Sequence, residues 1–191
     1  MKIDTNRGTL ALILAIAVGF GIELSTDSIG NDASLLKLGA LPDDGQLHGQ
    51  FWRIATYSFL HFNGPHLILN VGLLWWIGRI IEQQVGISRG ALIYFASVIC
   101  SAAVILLVHD WHPKEGATVG ASGGVFGLLG AALIISFRQR NDDRLRGWLW
   151  VVIAIGFGVS FLPDISMAGH IGGIIGGVLI ALLIKLPRNE S

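Results

Sequence analysis

The charged residues of this chain fall in clusters, and the apolar runs between the clusters are each about as long as a helix that crosses a bilayer. Such a helix needs roughly 20 mostly apolar residues, and within hydrocarbon only helices and closed barrels satisfy their own backbone groups. Runs at about 10–24, 65–82, 91–108, 120–138, 147–162 and 168–186 meet that requirement and leave little chain over. The expectation is an all-α polytopic membrane protein, one domain of six transmembrane helices covering residues 1–191. With 52% hydrophobic and 14% charged residues, the chain is too apolar for an ordinary soluble domain.

The formal net charge is +0, yet the charges are not evenly spread. Lys2, Arg7, Arg79, Arg89, Arg138, Arg140, Arg144, Arg146, Lys185 and Arg188 fall on one set of termini and loops. The other set holds Lys37, Arg53 and Lys114 among eight acids, from Glu23 to Asp164. Because Lys and Arg near helix ends favour the cytoplasmic side, both termini are expected there. No basic patch with interleaved aromatics occurs, so nucleic-acid binding has no support. Cys100 is the single cysteine and sits inside a predicted span, which excludes an intrachain disulfide and points to packing rather than chemistry.

Taken in order, Lys2 and Arg7 precede an apolar run that reads as a retained first helix rather than a signal peptide, since no Ala-x-Ala site closes it. From Ser25 to Thr56 the chain is too polar to span and too apolar for a flexible linker. A loop half-sunk in the outer interface fits, with Trp52 at headgroup depth and Arg53 satisfied by backbone carbonyls or lipid phosphate; the plainer alternative for Arg53 is a snorkelling cation. Pro65 suits the first turn of span two. His109, Asp110 and His112 match no standard metal spacing and read as a solvated loop. Trp148 and Trp150 belong at the inner interface. The turn from Leu162 to Met167 contains Pro163 and Asp164, cannot extend either neighbouring helix, and is expected to be a mobile cap. Glu82 lies near the inner end of span two with no partner that the sequence names.

With the N-terminus inside, spans two, four and six all run from the outer face inward. His66 and Asn70 lie in the first turns of span two, Ser122 opens span four, and His170 opens span six, so topology alone sets these polar groups at one depth. Gly123 and Gly127, and Gly169, Gly173 and Gly177, recur every four residues and make a smooth stripe on each helix. Spans four and six can then approach closely enough for Ser122 Oγ to hydrogen-bond His170, with Phe126 one turn below Ser122 and against the ring.

Singly these signals are weak. A serine at a helix start is usually a cap, an intramembrane asparagine can be interhelical glue, and glycine stripes mean only tight packing; an intramembrane histidine is more telling because polar groups in lipid are costly. Together at one depth they point to a site. A neutral imidazole beside Ser122 can take the hydroxyl proton during attack on a peptide carbonyl and return it to the leaving amine. The Ser122 backbone N–H, Asn70 Nδ2 and His66 are the candidate oxyanion donors. No carboxylate lies within a span to orient the base, and Asp164 is the only one local in sequence, so a Ser-His dyad without metal or cofactor is expected.

This combination resembles the rhomboid family of intramembrane serine proteases over nearly the whole chain. The resemblance rests on Trp52-Arg53 in a long first loop, His61, His66-x-x-x-Asn70, Glu82-x-x-x-Gly86, Gly120-Ala121-Ser122-Gly123, and Gly169-His170 followed by glycines. It implies that Ser122 is the nucleophile, His170 the general base, and Asn70, His66 and the Ser122 N–H the oxyanion hole. It further implies single-span membrane proteins as substrates, cut in or near the transmembrane segment. With no additional domain, the chain looks like the minimal six-helix bacterial form, in the plasma (inner) membrane; the rhombosortase subgroup and the oligomeric state stay open. Two other readings use the same bundle: a non-catalytic binder or escort of membrane clients, and a small His-dependent transporter, the latter weakened by the lack of a carboxylate-lined path.

Overall fold

A computed structural model of the chain describes residues 6–108, 116–139, 143–162 and 165–186. Six long helices build the bundle: α1 (Arg7–Ser25), α4 (Gly64–Val85), α5 (Ile87–Val108), α6 (Ser122–Gln139), α7 (Asp143–Val159) and α8 (Met167–Leu183). Two short helices, α2 (Asp32–Leu38) and α3 (Arg53–Thr56), lie in the segment joining α1 to α4. The long helices α1, α4, α5 and α6 have the length and apolarity to cross a membrane, and α8 is an apolar helix of 17 residues. At 1.5 Å per residue, 17 residues reach only about 25 Å, near the lower limit for a span. Leu14, Val18, Ile68, Leu69, Ile99, Leu107 and Ile155 point outward from their helices, an apolar surface suited to lipid. The protein is an integral membrane protein.

The centre of the bundle is α6, 13 of whose 18 residues are buried, whereas α1 buries 3 of 19. Glycine explains that difference. A Cβ at Gly173 or Gly177 would run into the backbone of Gly123 or Gly127, so α6 and α8 lie parallel with their main chains in contact. On the other side of α6, Gly123 faces Ser101, Gly127 faces Ser97 and Gly124 faces Tyr94, a register that descends along α5 and makes it antiparallel. Helix α5 also closes on α8, where Gly172 and Gly176 meet the backbone around Ser97 and Cys100. Cys100 is thus a packing residue at this seam.

Helix bounds differ from the sequence reading by a few residues, for local reasons. Span four begins at Ser122 rather than 120 because Gly120 has φ +128°, outside the helical region. The sixth ends at Leu183. The second extends to Val85, where Gly86 at φ +84° turns the chain directly into α5.

Two anchors fix the ends of the bundle. Glu82 on α4 accepts from Gly8 N (3.0 Å), Thr9 N (2.9 Å) and Thr9 Oγ1 (2.8 Å), so its carboxylate caps the start of α1 and supplies the partner that the sequence left unnamed. In the segment before α4, Asn31 caps α2 by accepting from Ser34 N, and Gly39 ends it at φ +113°. Arg53 then donates to the carbonyls of Leu36 and Ala40, both at 2.6 Å, and through Nε to Gln50 Oε1 at 2.7 Å. Of the outcomes foreseen for Arg53, satisfaction by backbone carbonyls is the one found. A two-residue antiparallel ladder, Leu41 with Thr118 and Pro42 with Ala117, ties this segment to the chain just before Gly120.

Candidate functional site

Three helix starts converge at the end of the bundle that carries this segment. At the first, Asn63 caps α4 by accepting His66 N at 2.9 Å, and Pro65 occupies the opening turn, which sets His66 and Asn70 one turn apart on the same face. At the second, the turn leading into α6 is held by two backbone donors: Gly120 N donates to Tyr57 O at 3.0 Å, and Ala121 N to His61 Nε2 at 3.5 Å. The N–H of Ser122 makes no hydrogen bond among the described residues. At the third, Ser166 caps α8 by accepting Gly169 N at 3.1 Å, which fixes His170 in the first turn.

The His66 ring packs on the turn before Ser122. A Cβ at Gly120 would stand 2.8 Å from His66 Nε2 and 2.7 Å from Cε1, so only glycine admits the ring there, and its positive φ adds a second reason. His61 stacks edge-on with His66, centroids 5.1 Å apart. His61 is fully buried in the segment before α4, and that burial, with His66 alongside, pushes its pKa down to about 3. It is therefore a neutral imidazole whose Nε2 lone pair receives the Ala121 N–H.

His170 is 5% exposed and lies flat against Phe126, centroids 3.9 Å apart with planes 8° from parallel. Phe126 is backed in turn by Phe157 on α7, edge-on at 5.9 Å, and by Gly156, where a Cβ would stand 3.0 Å from Phe126 Cε1. Since Phe126 lies one helical turn beyond Ser122, and Gly123 touches Gly173 one turn beyond His170, Ser122 and His170 sit at the same end of the paired helices. The hydrogen bond expected between Ser122 Oγ and His170 is not formed. Ser122 Oγ has no hydrogen-bond partner among the described residues, and the ring nitrogen Nδ1 of His170 is taken by Ser160 Oγ at 2.6 Å.

Asn70 is 5% exposed, and its Nδ2 donates to His66 O at 2.9 Å, which uses one of its two N–H bonds and leaves the other. Trp52 is exposed at the start of α3, and Arg53 directs its donors to Leu36, Ala40 and Gln50 within the segment before α4. Residues 109–115, with His109, Asp110 and His112, and positions 163 and 164 within the expected mobile cap, lie outside the described residues. Besides the caps Asn63 and Ser166, Ser160 and Glu23 bond directly here and escaped sequence reasoning. Ser160 was one apolar-helix serine among several. Glu23, fully buried near the end of α1, accepts His61 N at 2.7 Å, and its only sequence signal was an acid at the close of an apolar run.

The fold and its buried polar end define a class: a helical membrane protein with a serine hydroxyl and imidazoles gathered where glycine-lined helices meet. Comparison with known proteins narrows the class. The rhomboid domain family matches residues 48–186. The chain is 34% identical to rhomboid protease GluP of Bacillus subtilis (strain 168) over 183 residues, covering 94% of this chain and 35% of that protein. It is 33% identical to RHOMBOID-like protein 7 of Arabidopsis thaliana over 166 residues, covering 84% and 52%, and 27% identical to Rhomboid-like protease 3 of Toxoplasma gondii over 153 residues, covering 78% and 58%. This chain belongs to the rhomboid family. It spans between about a third and somewhat over half of the length of these relatives.

Proposed function

We propose that the chain is an intramembrane serine endopeptidase that cuts single-span membrane proteins in or near their transmembrane segment. The observation that carries this reading is the clamped His170: a buried imidazole, stacked on Phe126, on the helix whose glycines press it to the helix that Ser122 opens. A structural histidine needs no such placement at the same end of the paired helices as a serine hydroxyl that has no hydrogen-bond partner among the described residues.

In the proposed reaction, His170 Nε2 takes the Ser122 Oγ proton as Oγ bonds to the carbonyl carbon of the scissile peptide, and the carbonyl π electrons move to oxygen. The oxyanion is met by the Ser122 N–H, the remaining Asn70 Nδ2 hydrogen and His66, all at the same end of the bundle. The Ala121 and Gly120 N–H groups are bonded elsewhere, whereas the Ser122 N–H has no partner among the described residues. Collapse of the intermediate breaks the C–N bond, and the imidazolium returns its proton to the leaving amine. Water, activated by the same nitrogen, then hydrolyses the acyl-enzyme. The missing direct bond between Ser122 and His170 is compatible with this, since catalytic hydrogen bonds often tighten only with substrate in place. The proposed orientation, with both termini cytoplasmic and the site near the opposite face, follows the distribution of Lys and Arg.

The experiment is cleavage of a model transmembrane substrate in liposomes by wild-type and Ser122→Ala protein, with fluorophosphonate labelling alongside. Wild-type cleavage and labelling at Ser122, both abolished in a folded Ser122→Ala variant, are expected. Client binding that survives Ser122→Ala, with no labelling and no cleavage by wild type, would leave a non-catalytic escort instead.

A further inference from the structure

We propose that Ser160, at the end of α7, is the residue that orients the base: it holds His170 in the tautomer that carries hydrogen on Nδ1 and a lone pair on Nε2. The inference rests on the reading of His170 as general base, and it supplies the third group that the sequence lacked when no carboxylate could be placed beside the imidazole.

The proton count at Ser160 decides the direction of the bond. Its Oγ lies 2.6 Å from His170 Nδ1 and 2.8 Å from Gly156 O, one turn back along α7. A hydroxyl has one hydrogen, and a carbonyl oxygen can only accept. If Oγ donates to Gly156 O, then Nδ1 must be the donor in the second bond, and both short contacts are hydrogen bonds. In the opposite arrangement Oγ donates to Nδ1, one bond is lost, and lone pairs of Oγ and Gly156 O face each other at 2.8 Å. Ser160 and His170 are each 5% exposed, so solvent does not compensate that loss. The arrangement with two bonds is therefore the lower one, and it leaves Nε2 as the acceptor for the Ser122 proton.

Position reinforces the chemistry. Gly156, which receives the Ser160 proton, is also the residue on which the Phe126 ring edge rests, so one turn of α7 both backs the ring stacked on His170 and bonds its far nitrogen. When His170 takes the proton of Ser122, its Nδ1–H becomes a cationic donor to an oxygen whose own hydrogen already points away. Bonds to ionised groups are roughly twice as strong as neutral ones, so Ser160 favours the imidazolium of the transition state over the neutral resting ring. It does so without charge, and is a weaker counterpart of the aspartate in a serine protease triad.

The test pairs nitrogen-resolved NMR of His170 with kinetics of Ser160 variants in detergent and liposomes. In wild type, His170 should show a protonated Nδ1 and an unprotonated Nε2. Ser160→Ala should lose that single-tautomer signature and lower kcat about tenfold, the worth of one net hydrogen bond, with KM little changed. Ser160→Thr, which keeps the hydroxyl, should restore both. An Nε2–H tautomer in wild type, or an unchanged kcat and spectrum in Ser160→Ala, would overturn the proposal. The wild-type spectrum needs no variant to fold and no substrate to be cut. A preparation that shows the Nδ1–H tautomer yet neither cleaves nor labels at Ser122 would thus overturn the protease reading and leave the Ser160 bond standing.

Discussion

Phe126 and His170 lie face to face, ring centroids 3.9 Å apart and planes 8° from parallel, with Phe126 itself pinned between this stack and the edge of Phe157. The stack fixes the plane of the imidazole, while the bond at Nδ1 fixes its rotation within that plane. Phe126→Leu keeps an apolar filling but removes the flat face, so it should cost about 1–2 kcal/mol through the lost aromatic pair and imperfect packing. Because the ring would rock out of line, the greater effect should be on kcat, about tenfold or more, with KM close to wild type. Steady-state kinetics on the purified variant, checked against its unfolding midpoint, would refute this if kcat stayed at the wild-type value.

The glycines of α6 and α8 are not interchangeable with other glycines in the bundle. A Cβ on Gly177 would stand 2.7 Å from Gly127 Cα, and backbone cannot swing aside as a side-chain tip can. Gly72 on α4, by contrast, has nothing within 4 Å of the same added atom. Gly177→Ala should therefore force α6 and α8 apart, lower the thermal midpoint by the several degrees that ~2–3 kcal/mol implies, and disable the site that depends on their closeness. Gly72→Ala should be neutral or stabilising by up to about 1 kcal/mol, from helix propensity. Melting curves of the two variants in one detergent make the comparison, and equal midpoints would mean that the close approach contributes little.

Some of this architecture was legible in the chain and some was not, and the division has a physical basis. The alternation of apolar runs with charge clusters is a local property, so the helices could be read to within a few residues. His66-x-x-x-Asn70 and the glycine stripes carry their geometry in their spacing, because a helix fixes what lies four residues away. The partners of His170, Glu82 and Glu23 do not follow from spacing. Ser160 lies in a different helix from His170, Glu82 reaches 73 residues back to Thr9, and Glu23 reaches 38 residues forward to His61. Each is a polar side chain at the end of an apolar run, and the sequence gives it the same appearance as a surface cap. Only the packed bundle distinguishes them. The Ser122 to His170 hydrogen bond is the reverse case: the sequence reading set both groups at one depth, but a shared depth does not fix the distance and angle on which a bond depends.

Glu82 concentrates three hydrogen bonds on one nearly buried carboxylate, two from backbone N–H groups in the first turn of α1 and one from Thr9 Oγ1. Glu82→Ala would strand those donors at a helix start, and should cost about 3 kcal/mol. Glu82→Gln keeps one acceptor oxygen but turns an NH2 toward a donor, so it should fall between. Since α1 buries little else, the loss should appear first as fraying of α1. Hydrogen exchange at Gly8 to Ala11 is the direct readout, and protection in Glu82→Ala equal to wild type would remove the carboxylate as the anchor.

Arg53 ties together the segment between α1 and α4. Its guanidinium spans the carbonyls of Leu36 and Ala40 with Nη1 while Nε holds Gln50, a spread of donors that a single ammonium cannot reproduce. Loss of about 2 kcal/mol from these bonds should raise the open population of the segment between α1 and α4 about thirtyfold. The ladder of Leu41–Pro42 with Ala117–Thr118 runs from that segment to the residues just before Gly120, so loosening it should also disturb the turn that presents Ser122. Arg53→Lys should accordingly speed limited proteolysis near Asp43 to Gly45 by that factor and reduce, without abolishing, any cleavage of a transmembrane substrate. A lysine variant digested at the wild-type rate would show that the three bonds do not hold the segment closed.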